Sequence, residues 1–245
     1  MEKILIVAPI RDRQITLQKY LESIEKLDYP KDKICLYFLL NDSTDLSREM
    51  LMDFYQKDKA NGRVYSNIRI DVCNRGVPKD SRSAVRRKHI YAHLAILRNK
   101  ILDYFLSTDC THLFSIDSDI TVNSECLSKL LVADKDIISA YICNEISGNT
   151  PRGNALDFIE TNQKDEKGEP IFSIKHIITA DLPTIFPCDV TGAVYLIKRK
   201  VIEAGVRYDS NNAGEDVPFC LQAKVKGFKA YCQKNLATHH MYKMI

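Results

Sequence analysis

Residues 113–120 read Leu113-Phe114-Ser115-Ile116-Asp117-Ser118-Asp119-Ile120, a short apolar run that ends in two aspartates one residue apart. A brief run of this kind, bounded by polar sequence, reads as a strand buried on both faces. Side chains on an extended chain repeat every second residue, so Asp117 and Asp119 point the same way from the strand's tip. That geometry suits a hard divalent cation held by one or two carboxylates, with a diphosphate supplying the other oxygens. Asn123 and Ser124 already offer the cap for the next helix, which leaves the two carboxylates without that task.

The same grammar extends upstream. Residues 3–10 (KILIVAPI) and 34–40 (ICLYFLL) are continuous apolar runs, as expected of buried strands. Leu17, Tyr20, Leu21, Ile24 and Leu27 recur at helical spacing before Asp28-Tyr29-Pro30 stops the pattern. A helix is expected over 46–58, a strand over 64–73 and a long basic helix over 84–106. Downstream come a helix over 124–133, a strand over 136–143, a polar, Gly- and Pro-containing stretch from 144 to about 168, a strand over 190–198, a helix over 217–226 and a strand over 229–232. Repeated strand–helix alternation predicts an α/β fold with a mainly parallel sheet flanked by helices. We expect a single domain with two abutting halves, about 1–120 and about 121–245. Such sheets bind ligands beyond the carboxyl ends of their strands, so function is sought at the strand tips.

Composition narrows the classes. The 245 residues carry a formal net charge of +3, against the strong basic bias of most nucleic-acid binders, and no nucleic-acid partner is expected. No apolar run approaches the roughly 20 residues needed to cross a bilayer. No signal peptide and no transmembrane segment are expected, and a cytoplasmic location follows as an expectation. Eight cysteines at irregular spacing, with no CxxC, read as reduced and mostly buried thiols. With no Trp, any sugar-stacking surface must use Tyr, Phe or His. The turn after the first strand, Pro9-Ile10-Arg11, lacks glycine, which counts against a dinucleotide fingerprint, a P-loop and a sugar nucleotidyltransferase.

Other clusters admit a chemical reading. Arg82, Arg86, Arg87 and Lys88 gather where the long helix begins, an anion site by charge and helix dipole or else a solvated face. Glu215 and Asp216 open a helix, where acids are favoured for the same dipolar reason and where a positioned carboxylate can also serve as a base.

FSIDSDI resembles the DxD element of GT-A fold glycosyltransferases. Ala95-Ile96-Leu97-Arg98-Asn99, Gly192 in VTGAVYLIKR, Gly214-Glu215-Asp216-Val217 and His239-His240 resemble four further elements of that group, in matching order. Ala8-Pro9-Ile10-Arg11, the stretch LDYPKDKICLYFLLNDSTD, and Arg86-Arg87 ahead of Arg98-Asn99 resemble the Anp1-like mannosyltransferases and related family 2 enzymes. The resemblance implies a metal-dependent transfer of a sugar from a UDP- or GDP-sugar to a hydroxyl acceptor on a glycan, lipid-linked carrier or protein. It implies that Pro9, Arg11, Asp42, Arg86, Arg98, Asp117 and Ser118 bind the nucleotide-sugar. Asp117, Asp119 and His239 or His240 would hold Mn²⁺ (or Mg²⁺). In the family 2 pattern Asp216 is the general base, Glu215 binds the acceptor, and the anomeric configuration inverts. In the Anp1-like pattern it is retained. A non-catalytic carbohydrate-binding relative is the other reading.

Overall fold

The computed structural model describes residues 1–77, 84–147, 150–164, 170–210, 214–236 and 238–241, with backbone alone for 84–89, 143–152 and 160–172. In chain order the elements are β1 (Ile4–Ile10), α1 (Leu17–Glu25), β2 (Ile34–Leu40), α2 (Ser47–Ala60), β3 (Asn67–Val72), α3 (Ala84–Ser107), β4 (His112–Ile116), β5 (Ile120–Val122), α4 (Cys126–Val132) and β6 (Ile137–Ala140). There follow β7 (Cys143–Ser147), β8 (Thr150–Gly153), β9 (Leu156–Lys164), β10 (Pro170–His176), β11 (Ile185–Cys188), β12 (Val194–Lys198), α5 (Arg199–Glu203), α6 (Asp216–Val225), β13 (Ala230–Gln233) and β14 (Thr238–His240).

Eight strands form one sheet in the order β11-β13-β6-β12-β4-β1-β2-β3. β3, β2, β1 and β4 run parallel, as do β6 and β13; β12 runs antiparallel between β4 and β6, and β11 antiparallel at the edge. The apolar runs follow from burial on both faces. In β1, Ile4, Ile6, Ala8 and Ile10 pack with Leu17, Tyr20 and Ile24 of α1 and Leu127 and Leu130 of α4. Leu5 and Val7 face the opposite layer, with Leu97, Ile101 and Phe105 of α3 and Phe219 of α6. Alternation along the strand thus feeds two cores, one on each side of the sheet.

Register brings the tips together. Ile10 pairs with Leu40, which levels the ends of β1 and β2, and Val7 pairs with Ser115, which leaves Asp117 just beyond the edge. Ser118 Oγ donates to the Pro9 carbonyl at 3.2 Å, joining the β4 tip to the β1 tip.

Two expectations need revision. The strand expected over 190–198 begins only at Val194, because Ala193 takes the left-handed conformation (φ +66°) and turns the chain. The stretch from 144 onward is not irregular: β7–β8 and β9–β10 are two antiparallel hairpins outside the main sheet. Their mixed polar sequence lacks the apolar run of a two-faced strand. A further two-stranded ladder joins β5 to β14, pairing His240 with Ile120. The seven described cysteines are free and buried, and among the described residues no helix is long and apolar enough to cross a membrane.

Candidate active site

Arg98 is the organising side chain. α3 carries it beneath the β4 tip, where it is 5% exposed. Its Nη2 donates to Asp117 Oδ1 at 2.9 Å, its Nε to Glu215 Oε1 at 2.9 Å and its Nη1 to Ser115 Oγ at 3.2 Å. The Tyr208 ring lies 5.6 Å from the guanidinium carbon. One cation with a rigid fork therefore fixes a strand tip and a helix start, 117 residues apart for Arg98 and Glu215. Burial pushes the Asp117 carboxyl above its ordinary range, and Arg98 only partly opposes it.

Asp119, two residues on, faces a different set of groups. Arg13 Nη2 stands 3.2 Å from its Oδ2, and His240 Nε2 stands 3.7 Å from the same atom. Burial alone would raise the Asp119 carboxyl, yet His240 and Arg13 outweigh it and hold it below the usual range. β14 delivers His240 through its ladder with β5. His239, its neighbour on that strand, is exposed and points to the opposite face, so the geometry brings His240 and not His239 to Asp119.

Asp216 forms the third part. It begins α6 and is half-buried, and its Oδ1 accepts from the Tyr195 hydroxyl at 3.2 Å. Tyr195 in turn hydrogen-bonds Tyr208, whose ring stacks on Phe219 at 4.4 Å. Burial, reinforced by the Glu215 carboxylate beside it, pushes Asp216 up to about 7. A Cβ placed on Gly192 would lie 2.1 Å from Asp216 Oδ2, so only glycine leaves room for that carboxylate. Gly192 and Ala193 also abut the β4 tip, where the Asp117 N–H donates to the Ala193 carbonyl at 2.9 Å.

Asp42 lies two strands away along the same edge, roughly 10 Å at ordinary strand spacing. It adopts φ +47° and accepts from the N–H groups of Arg75 and Gly76 at 2.9 Å each and of Val77 at 3.4 Å. These bonds overcome the effect of burial and keep its carboxyl low. Its carboxylate thus builds the 75–77 loop, and the adjoining cavity of about 430 Å³ is lined by Arg11, Ser43, Thr44, Asn74 and Gly76 as well. Arg11 reaches across to the Val77 carbonyl at 2.5 Å. Arg82 and the side chains of Arg86, Arg87 and Lys88 lie outside the described residues. A larger cavity, about 590 Å³, lies among Phe158, Cys188, Lys224 and Phe228, and none of Asp42, Asp117, Asp119, Glu215 and Asp216 lines it.

Arg98, Asp117, Asp119, His240, Glu215 and Asp216 meet at one edge of the sheet. Sequence reasoning passed over Arg13, Ser115, Tyr195 and Tyr208. Only Arg13 carried a signal, as a cation three residues past a buried strand. Among the described residues, no three His, Cys, Asp or Glu side chains are grouped closely enough to hold a metal ion by themselves. Asp119 and His240 lie close enough to share one divalent ion, which would draw its remaining ligands from a diphosphate.

The Anp1 family model matches residues 1–168. The chain belongs to the Anp1 family. It is 28% identical over 148 residues to the mannan polymerase II complex anp1 subunit of Schizosaccharomyces pombe, covering 56% of this chain and 34% of that protein. The chain therefore spans about a third of that relative's length. The fold is that of GT-A glycosyltransferases. GalNAc-T7, solved with UDP, GalNAc and Mn²⁺, superposes with a TM-score of 0.63 over 98% of this chain and 44% of its own, at 12% identity. The mannosyltransferase PcManGT of Pyrobaculum calidifontis, solved with GDP-Man and Mn²⁺, gives 0.57 over 96% and 55%, also at 12% identity.

Proposed function

We propose that this Anp1-family protein is a metal-dependent glycosyltransferase that moves a sugar, most simply mannose from GDP-mannose, to a hydroxyl acceptor. The observation that carries the reading is the convergence of Asp117, Asp119, His240, Arg98 and Asp216 at one sheet edge, drawn from four distant stretches of chain. The relative's name and the GDP-Man bound to PcManGT support mannose and guanine over the alternatives.

Each residue has a chemical task. Asp119 and His240 would hold Mn²⁺ or Mg²⁺, with Asp117 facing the same cleft. The ion, when bound, neutralises charge on the departing diphosphate. Arg98 locks Asp117 and Glu215 in place, so that neither carboxylate needs reorganisation during the reaction. The cavity beside Arg11, Asn74 and Asp42 takes the nucleoside, in the half formed by about residues 1–120. The remainder, with the β7–β10 hairpins, takes the acceptor.

Asp216 accepts the acceptor's proton. A carboxyl held near 7 and reachable from the cleft is matched to that task at neutral pH, which supports inversion. Membership of the Anp1 family supports the retaining alternative, in which Asp216 has no such role. NMR of the product's anomeric proton separates the two. The broader reading is tested by thermal shift across nucleotide sugars with Mn²⁺. A donor at 100 times its dissociation constant stabilises by about 2.7 kcal/mol, and no shift with any UDP- or GDP-sugar would overturn it.

A further inference from the structure

Arg13 belongs to none of the elements that suggested a donor site, yet it sits on the carboxylate most suited to metal. Its backbone is pinned on both sides. The N–H donates to Ser47 Oγ at 2.8 Å, and the carbonyl accepts from the N–H groups of Thr16 and Leu17 at 2.9 and 2.8 Å. The side chain alone is left to adjust, and it is a quarter exposed.

The contact it makes uses little of its capacity. Nη2 reaches Asp119 Oδ2 at 3.2 Å, a single prong, while the buried Nε has no hydrogen-bond partner. A guanidinium is built to bind planar or tetrahedral anions through two parallel N–H bonds. Asp119 Oδ2 is also the atom that His240 approaches, so a cation bound there would face Arg13 at short range and with like charge. The groups facing Asp119 are therefore Arg13 and His240, whereas Asp117 is already matched by Arg98.

We propose that Arg13 exchanges partners as the donor binds. In the ligand-free protein it neutralises Asp119; once Asp119 is engaged by the divalent cation, the Arg13 fork, with its unused Nε, takes an oxygen pair of the donor's diphosphate. This inference rests on the metal and diphosphate reading above. It adds a residue that competes with the ion in the empty site and cooperates with it in the filled one.

The two halves predict effects of opposite sign. Mn²⁺ binding to the whole protein is followed by electron paramagnetic resonance of the free ion, first alone and then with GDP or UDP. Removing the competing cation in Arg13→Ala should tighten binding of Mn²⁺ alone by about tenfold, while binding of the nucleoside diphosphate at saturating Mn²⁺ weakens by about tenfold. Arg13→Lys keeps the charge and loses the fork. It should leave the affinity for Mn²⁺ alone near the parental value and still weaken the nucleotide, which also guards against misfolding of the alanine variant. Equal Mn²⁺ affinity in parent and Arg13→Ala, or weakening of both ligands together, would overturn the exchange and leave Arg13 a structural residue. Failure of the parent protein to bind Mn²⁺ even with GDP or UDP would instead overturn the metal reading, and this inference with it.

Discussion

Gly192→Ala separates the geometry of the site from the stability of the fold. The added methyl would stand 2.1 Å from Asp216 Oδ2 and 2.6 Å from its Cγ, where ordinary contact begins near 3.4 Å. The carboxylate must therefore withdraw by about 1.3 Å, and it is a side-chain end that moves rather than backbone. Gly192 is not among the residues with positive φ, so alanine fits the local backbone. Replacing glycine at such a position contributes about 0.4–1 kcal/mol by restricting the unfolded chain. The displaced Asp216 loses its bond from Tyr195, which costs about 1 kcal/mol. The two nearly cancel, so the melting temperature should stay within a few degrees of the parent. Turnover should not: a misplacement of about 1 Å at a reacting group costs on the order of 10²-fold. The assay is release of nucleoside diphosphate from the donor under saturating acceptor, with donor affinity measured alongside and expected to hold. Turnover within threefold of the parent would refute the placement of Asp216 in the chemistry, and a collapsed melting temperature would refute the claim that the side chain absorbs the clash.

Asp216→Asn should lower turnover by roughly 10²–10⁴-fold with donor affinity unchanged, and should remove a rise in rate centred near pH 7. The same substitution has a stability signature. The native carboxyl titrates at about 7, above its unfolded value, so the folded state holds a proton that the unfolded state has lost and stability falls as pH rises toward 7. Asn removes that penalty, so the variant should melt above the parent at pH 8 and close to it at pH 4; equal melting at pH 8 would contradict the raised value. Arg98→Met strands Asp117 and Glu215 without their buried cation and should destabilise by about 3–5 kcal/mol in chemical denaturation. His240→Ala should weaken Mn²⁺-dependent donor binding at least tenfold by calorimetry, with His239→Ala near parental; the reverse order would mean that β14 is misregistered.

What could be read from residue order alone follows the physics of burial. β1, β2 and β4 are buried on two faces, so their apolar runs announce themselves, and the acids that end β4 stand out against them. β9 and β10 pair with each other rather than with the sheet, and their polar residues conceal them. The β5–β14 ladder is three residues long and closes over more than a hundred, a pairing to which no local pattern responds. The resemblance gives Asp42 to the nucleotide-sugar; an aspartate in a polar turn also builds the turn, and here its carboxylate accepts from the 75–77 backbone as well. Tyr195 was hidden for another reason. Inside an apolar run a tyrosine looks like core, and only the third dimension puts its hydroxyl on Asp216.

The ladder that brings His240 to Asp119 also imposes an order in time. A ribosome adds about 5–20 residues per second, and His240 is made 121 residues after the carboxylate it approaches. For roughly 6–24 s, the emerging chain holds Asp119 without its imidazole. The pairing of His240 with Asp119 therefore waits on the synthesis of β14, and a chain released before that strand carries the acid-bearing tip without this partner.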